Sequence, residues 1–93
     1  EGDYVGYPVK APENGRYQLT FRLASDHDDA NIVVKNQDKT IGNLEVPNTG
    51  STIKWKSVRT IISLEEGIND LRLYFEGSGE DMVHLNWLRV TRP

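Results

Sequence analysis

Apolar and polar residues alternate along most of the chain. Every second residue is apolar in Gly15–Ala24 and in Leu71–Phe75, and the run Val58, Thr60, Ile62, Leu64 follows a similar alternation. Because successive side chains of a strand point to opposite faces, this period of two predicts strands with one buried face. Val83, Leu85 and Trp87 continue the pattern near the C-terminus. The positions expected in a core are Tyr17, Leu19, Phe21, Leu23, Leu71, Leu73, Phe75 and Trp87.

Turn-forming residues separate these runs, and no stretch has a helical period. Shorter strand candidates lie at 4–9, 31–34 and 40–46. Short, evenly spaced strands with glycine and proline between them predict an all-β sandwich of antiparallel strands, formed by one domain over residues 1–93. The turns are expected at 12–15, 35–38, 47–50, 66–67 and 77–79.

Composition excludes several classes of protein. A net charge of −3 and a pI near 5.3 argue against a nucleic-acid partner, because phosphates require a basic face. No apolar run approaches the length that spans a bilayer, so we expect no membrane insertion. The absence of cysteine removes disulfides and thiolate metal sites from consideration.

Two carboxylate pairs and one acidic loop are the candidates for catalysis or metal binding. Glycoside hydrolysis needs two carboxyl groups that face each other across a cleft. Neighbouring residues such as Glu65 and Glu66, or Glu80 and Asp81, usually diverge into water. The segment 25–29, Ser-Asp-His-Asp-Asp, lacks the glycine and distal glutamate of an EF-hand loop. We therefore expect a solvated loop and no enzyme, with a small hydrolase using Glu80 and Asp81 as an alternative.

Trp55 stands between Lys54 and Lys56, which are unfavourable neighbours for a core residue. If the following strand continues back unbroken, both lysines fall on the core side and Trp55 faces outward with Ser57 and Arg59. A bulge would instead turn the indole inward, so the pattern leaves core and surface positions open. An exposed indole is a flat apolar platform suited to the C–H face of a sugar ring.

His84 and Asn86 lie opposite the apolar face that Trp87 shares with Val83 and Leu85. Their side chains can hydrogen-bond hydroxyl groups, which suits a ligand site, although ordinary surface positions explain them equally well.

Eight short motifs follow one another along nearly the whole chain, and together they resemble the family 6 carbohydrate-binding modules attached to secreted glycoside hydrolases. They are Gly2-Asp3-Tyr4, Tyr7-Pro8-Val9, Gly15-Arg16-Tyr17-Gln18-Leu19, Arg22-Leu23-Ala24-Ser25, Val46-Pro47-Asn48-Thr49-Gly50, Trp55, Leu64-Glu65-Glu66-Gly67 and His84-Leu85-Asn86-Trp87.

The resemblance implies a jelly-roll β-sandwich without catalysis, which binds sugar chains in a cleft formed by loops at one edge. In that family a tyrosine and a tryptophan grip one sugar ring, and Trp55 aligns with the tryptophan. The tyrosine would lie upstream of Glu1, so we expect the N-terminal strands and one wall of the cleft to be missing. The family's sugar-binding asparagine aligns with His84, which is a departure from its pattern.

A structural calcium ion is also implied by the resemblance, with ligands mostly upstream of Glu1. The family's closing aspartate, which would be a further ligand, is Asn86 in this chain.

We therefore expect a non-catalytic, monomeric module of a secreted, extracellular polysaccharide hydrolase, with Trp55, His84 and Asn86 as carbohydrate-binding residues. The expected partners are a polysaccharide and the tethered catalytic domain. A looser resemblance to the modules of marine β-agarases suggests agarose, or another β-linked polysaccharide. The alternative is a structural or protein-interaction β-sandwich in which Trp55 belongs to the core.

Overall fold

The structure, a computed structural model, describes residues 4–77 and 83–92. These residues form no helix, and so none long and apolar enough to cross a membrane. All strand pairs are antiparallel, which confirms the predicted all-β sandwich. The strands are β1 (Val5–Ala11), β2 (Gly15–Ser25), β3 (Asn31–Asn36), β4 (Lys39–Glu45), β5 (Ser51–Leu64), β6 (Gly67–Glu76) and β7 (His84–Thr91).

Two sheets pack face to face around a single core. The first sheet has the strand order β1-β6-β3-β4, and the second has the order β5-β2-β7. Strand β2 lies at the centre of the second sheet, and its alternate side chains supply the most buried part of the core. Tyr17, Leu19, Phe21, Leu23, Leu71 and Leu73 are buried as predicted, and Phe75 packs against them half-buried.

The prediction that Trp87 belongs to the core is wrong, since 37% of this residue is exposed. Leu85 lies opposite the core residue Leu23, but Trp87 lies opposite the outward-facing Arg22. Asn86 is therefore an extra residue in β7, a β-bulge that reverses the alternation beyond it. The residues that face the core after the bulge are Leu88 and Val90.

A buried asparagine fixes the turn between β5 and β6. Asn69 is only 2% exposed, and its side-chain oxygen accepts hydrogen bonds from Asn36 Nδ2 at 2.9 Å and Glu65 N at 3.1 Å. Its Nδ2 donates to the carbonyl oxygens of Glu65, Gly67 and Val9 at 2.8, 3.2 and 3.4 Å. Because a buried polar group is stable only when it is paired, this network holds β1, β3 and the turn together.

Candidate functional site

Trp55 lies on the outer face of the second sheet. Strand β5 pairs with β2 without interruption from Leu64 back to Lys56, which lies opposite the core residue Leu23. The register then shifts, so the irregular stretch begins just beyond Lys56. Trp55 is the first residue beyond Lys56, and 38% of it is exposed, so the indole lies outside the core although the regular pairing has ended there. The outward alternative for this residue is therefore the one observed.

The first half of β5 extends past the core. Ile53 is 79% exposed, and both lysines beside Trp55 are exposed as well. Lys56 therefore occupies a core-side position without the cost of burying an unpaired ammonium group. A tryptophan between two lysines is tolerated here because residues 53–57 of β5 are all exposed.

The loop before β5 is anchored to the end of β2. Thr49 N donates to the Ser25 carbonyl at 2.8 Å, and Thr49 Oγ1 donates to the Ser51 carbonyl at 2.8 Å. Asn48 Nδ2 donates to Asp28 Oδ1 at 2.9 Å, and Asn48 Oδ1 accepts from Gly50 N at 2.8 Å. These bonds fix the point at which β5 starts and so the position of its tryptophan.

Trp55 and His84 lie on the two strands that flank β2. His84 is in register with Ala24 on one side of β2. On the other side the pairing of β5 shifts between Lys56 and Ser51, and Trp55 lies in the irregular stretch that passes the same alanine. Trp55 and His84 therefore lie near the same end of the second sheet.

Asn86 is exposed and is the bulge residue of β7, two positions after His84. Within residues 4–77 and 83–92, the side chains of Trp55, His84 and Asn86 form no hydrogen bond, ion pair or ring contact. Their polar atoms and the indole face are thus free to contact a ligand.

The calcium ion implied by the resemblance does not fit the described residues alone. Asn86 offers a neutral amide oxygen, and the described parts of the chain contain no cluster of three histidine, aspartate or glutamate residues. Calcium requires six to eight oxygen ligands. Calcium binding therefore stays a prediction.

Trp87 shares the outer face with Trp55, but its ring has a partner. The Arg89 guanidinium lies 4.8 Å from the centre of the Trp87 indole, a cation–π contact. Across the residues that the structure describes, no cation or aromatic ring covers Trp55. Of the two tryptophans, Trp55 is the more accessible to a flat ligand.

A second aromatic cluster, not identified from the sequence, lies on the outer face of the first sheet. The Tyr4 and Tyr74 rings are 5.4 Å apart, and the Arg72 guanidinium lies 4.7 Å from the Tyr4 ring centre. The pKa of Arg72 is raised, chiefly by a hydrogen bond with Tyr74. Lys35 lies 5.0 Å from the Tyr74 ring. The outward position of Tyr74 in the alternating segment 71–75 was the signal that could have indicated this cluster.

Two clefts of the described structure lie away from the predicted residues. One, of about 600 Å³, is lined by Gln37, Thr40, Glu65 and Ile68 among others. The other, of about 520 Å³, lies between the segments 28–31 and 45–48. Glu80 and Asp81, the residues of the hydrolase alternative, lie outside the described residues.

Comparisons with known proteins agree on one kind of module. The model of a family described as carbohydrate binding module (family 6) matches residues 1–92. The chain is 26% identical to the clotting factor G alpha subunit of Tachypleus tridentatus over 95 residues, which are 99% of this chain and 14% of that protein. The chain thus spans about a seventh of that relative.

Two solved structures have the same fold. The module CBM6cm-2 of Cellvibrio mixtus lichenase 5A, in complex with cellotriose, aligns with a TM-score of 0.87 at 23% identity, over 99% of this chain and 72% of that one. The C-terminal CBM6 of LamC, a marine laminarinase from Zobellia galactanivorans, aligns with a TM-score of 0.85 at 27% identity, over 96% of this chain and 72% of that one.

Proposed function

Since the chain belongs to the family 6 carbohydrate-binding modules, we propose that it binds a polysaccharide and holds an attached hydrolase close to that substrate. Modules of this family are non-catalytic, which confirms the prediction that the domain itself is not an enzyme. Binding therefore has to come from complementarity between a surface and a sugar chain, with no chemical step.

The observation that carries the proposal is the exposed, unpartnered indole of Trp55 near the same end of the second sheet as His84. A pyranose ring has an apolar face of C–H groups and an equatorial rim of hydroxyl groups. Trp55 provides the flat apolar surface for the face, and burial of both surfaces is favourable. His84 and Asn86 supply donors and acceptors for the hydroxyl groups at the rim.

The proposed ligand is a β-linked polysaccharide. One structural neighbour was solved with cellotriose and another belongs to a laminarinase, so β-linked glucans are the first ligands to test. Agarose is included because of the looser resemblance to agarase modules. Such polymers are too large to enter a cell intact, so the attached hydrolase is proposed to be secreted and extracellular.

A panel of neutral polymers tests this function directly. The protein is run on native gels that contain β-1,3-glucan, cellulose oligomers coupled to the matrix, xylan or agarose, and retardation is measured against a gel without polymer. We expect retardation by at least one polymer, with an affinity in the micromolar-to-millimolar range, about −4 to −8 kcal/mol. His84→Ala should weaken the retardation, because it removes hydrogen bonds worth about 0.5–1.5 kcal/mol each.

Absence of retardation on every polymer would contradict the proposal and favour the protein-interaction sandwich. Retardation that His84→Ala and Trp55→Ala both leave unchanged would keep the function and move the site elsewhere.

A further inference from the structure

Arginine side chains are concentrated on the outer face of the second sheet. In β2, Arg16 and Arg22 alternate with the core residues and so point away from the core. Arg59 of β5 and Arg89 of β7 both lie opposite the outward-facing Thr20. We call these four residues, Arg16, Arg22, Arg59 and Arg89, the arginine face.

No carboxylate shares this face in the part of the chain that the structure describes. The other outward residues of β2, of β7 and of the paired part of β5 are neutral side chains and His84. The first sheet differs, because Glu45, Asp70 and Glu76 lie on its outer side among lysine and arginine residues. The arginine face is thus a basic surface on a chain whose net charge is −3.

None of the four arginines forms an ion pair with a carboxylate among the described residues. Arg22 bonds only the Ser57 hydroxyl at 3.4 Å, and Arg89 rests on an indole. The two arginines outside this face have carboxylate partners, Arg72 with Asp70 at 3.3 Å and Arg92 with Glu13 at 2.9 Å.

The spacing of the arginine face suits one extended ligand. Arg59 and Arg89 lie on either side of Thr20, so two strand spacings separate their backbones by about 10 Å. Arg22 comes two residues after Thr20 in β2, which places its backbone about 8 Å from each of them. Like charges so close repel one another, which is unfavourable without a counter-charge. Guanidinium groups bind carboxylate or sulfate oxygens through two parallel hydrogen bonds, so anionic groups at intervals along a chain would supply that counter-charge.

We infer that the arginine face binds an anionic polysaccharide, one that carries sulfate or carboxylate groups. The inference rests on the proposed function, because the face is continuous with Trp55 and His84 on the same sheet. A nucleic acid would supply similar charges, but the match to a carbohydrate-binding family favours a polysaccharide.

The test compares one polymer with and without its charges. Microscale thermophoresis at low ionic strength measures binding of a sulfated galactan, the same galactan after desulfation, a polyuronate and duplex DNA. We expect at least one of the two anionic polymers, the sulfated galactan or the polyuronate, to bind more tightly than the desulfated galactan. Which of the two binds more tightly shows whether the face prefers sulfate or carboxylate. That difference should vanish at about 1 M salt, where the Debye length falls to about 3 Å.

The double variant Arg59→Gln/Arg89→Gln should weaken binding of the anionic polymer roughly two- to thirtyfold, for two exposed ion pairs. Its binding of the neutral polymer should stay unchanged. The matched control Lys10→Gln/Lys39→Gln removes the same charge from the first sheet, where both lysines are exposed, and should bind both polymers like the unmodified protein.

The inference would be overturned if the sulfated galactan and the polyuronate both bound no more tightly than the desulfated galactan. The proposed function would still stand. An equal loss in the lysine control would also overturn it, because net charge alone would then explain the effect. Binding of DNA as tight as that of the anionic polymers would replace it with a nucleic-acid partner. Failure to bind any polymer, neutral or anionic, would remove the proposed function as well.

Discussion

Replacement of Trp55 by alanine removes the proposed sugar platform. A tryptophan presents at most about 250 Å², so the exposed 38% leaves roughly 95 Å² for a ligand. Covering half to all of that area contributes about 1.2–2.4 kcal/mol at 25 cal/mol per Å². The ring contact adds about 0.5–1.5 kcal/mol. The expected loss of about 2–4 kcal/mol corresponds to a roughly 30- to 700-fold weaker affinity.

Trp87→Ala is the matched control for this change. Trp87 has nearly the same exposed fraction, 37% against 38%, and lies on the same outer face, so the two variants should lose similar stability, about 1 kcal/mol. Calorimetric titration with a neutral oligosaccharide and thermal unfolding should be measured on both proteins. We expect Trp55→Ala to lose binding while Trp87→Ala keeps it. Equal losses of affinity, or binding retained by Trp55→Ala, would refute the assignment of the platform to Trp55.

Three further predictions concern stability and catalysis. Asn69→Ala should lower the free energy of unfolding by about 2–4 kcal/mol in urea denaturation, because the hydrogen bonds of a buried side chain to part-buried partners are lost; a loss below about 0.5 kcal/mol would contradict the network. Deletion of Asn86 should cost little free energy of unfolding in the same assay, because the regular strand that results still turns Leu85 and Leu88 toward the core and Trp87 outward; a loss as large as that of Asn69→Ala would contradict the assignment of Asn86 as the extra residue. The isolated domain should release no reducing sugar from any polymer that it binds, and release that disappears with Glu80→Gln would show a catalytic carboxylate.

The alternation of apolar residues predicted the core wherever strands are regular. It was correct for β2 and for most of β6, because an uninterrupted strand keeps one face toward the opposite sheet. It failed in β7, where the single extra residue Asn86 reverses the phase. The sequence contains two overlapping alternating sets in β7, one of Val83, Leu85 and Trp87 and one of Leu88 and Val90. The sequence alone does not show at which residue the core-facing positions change from the first set to the second.

The candidate site depended on information that a single strand does not contain. The lysines beside Trp55 favoured an outward indole, and its 38% exposure agrees with that interpretation. The position of Trp55 and His84 near the same end of the sheet follows from the pairing of β5 and β7 with β2, which local patterns do not specify. The arginine face was not predicted from the sequence for the same reason, since its residues come from three strands that are far apart in the chain.

The location of a bound sugar is the most direct test of the account. The chain contains two tryptophans, so a ¹⁵N–¹H correlation spectrum has two indole signals, one of which is an internal control. On titration with the oligosaccharide that binds best, we expect the largest shifts at the Trp55 indole and at the amides of His84 and Asn86. The Trp87 indole and the Tyr4–Tyr74 cluster should change little. Shifts centred on Tyr4 and Tyr74, or on either cleft, with an unperturbed Trp55 indole would contradict the proposed site.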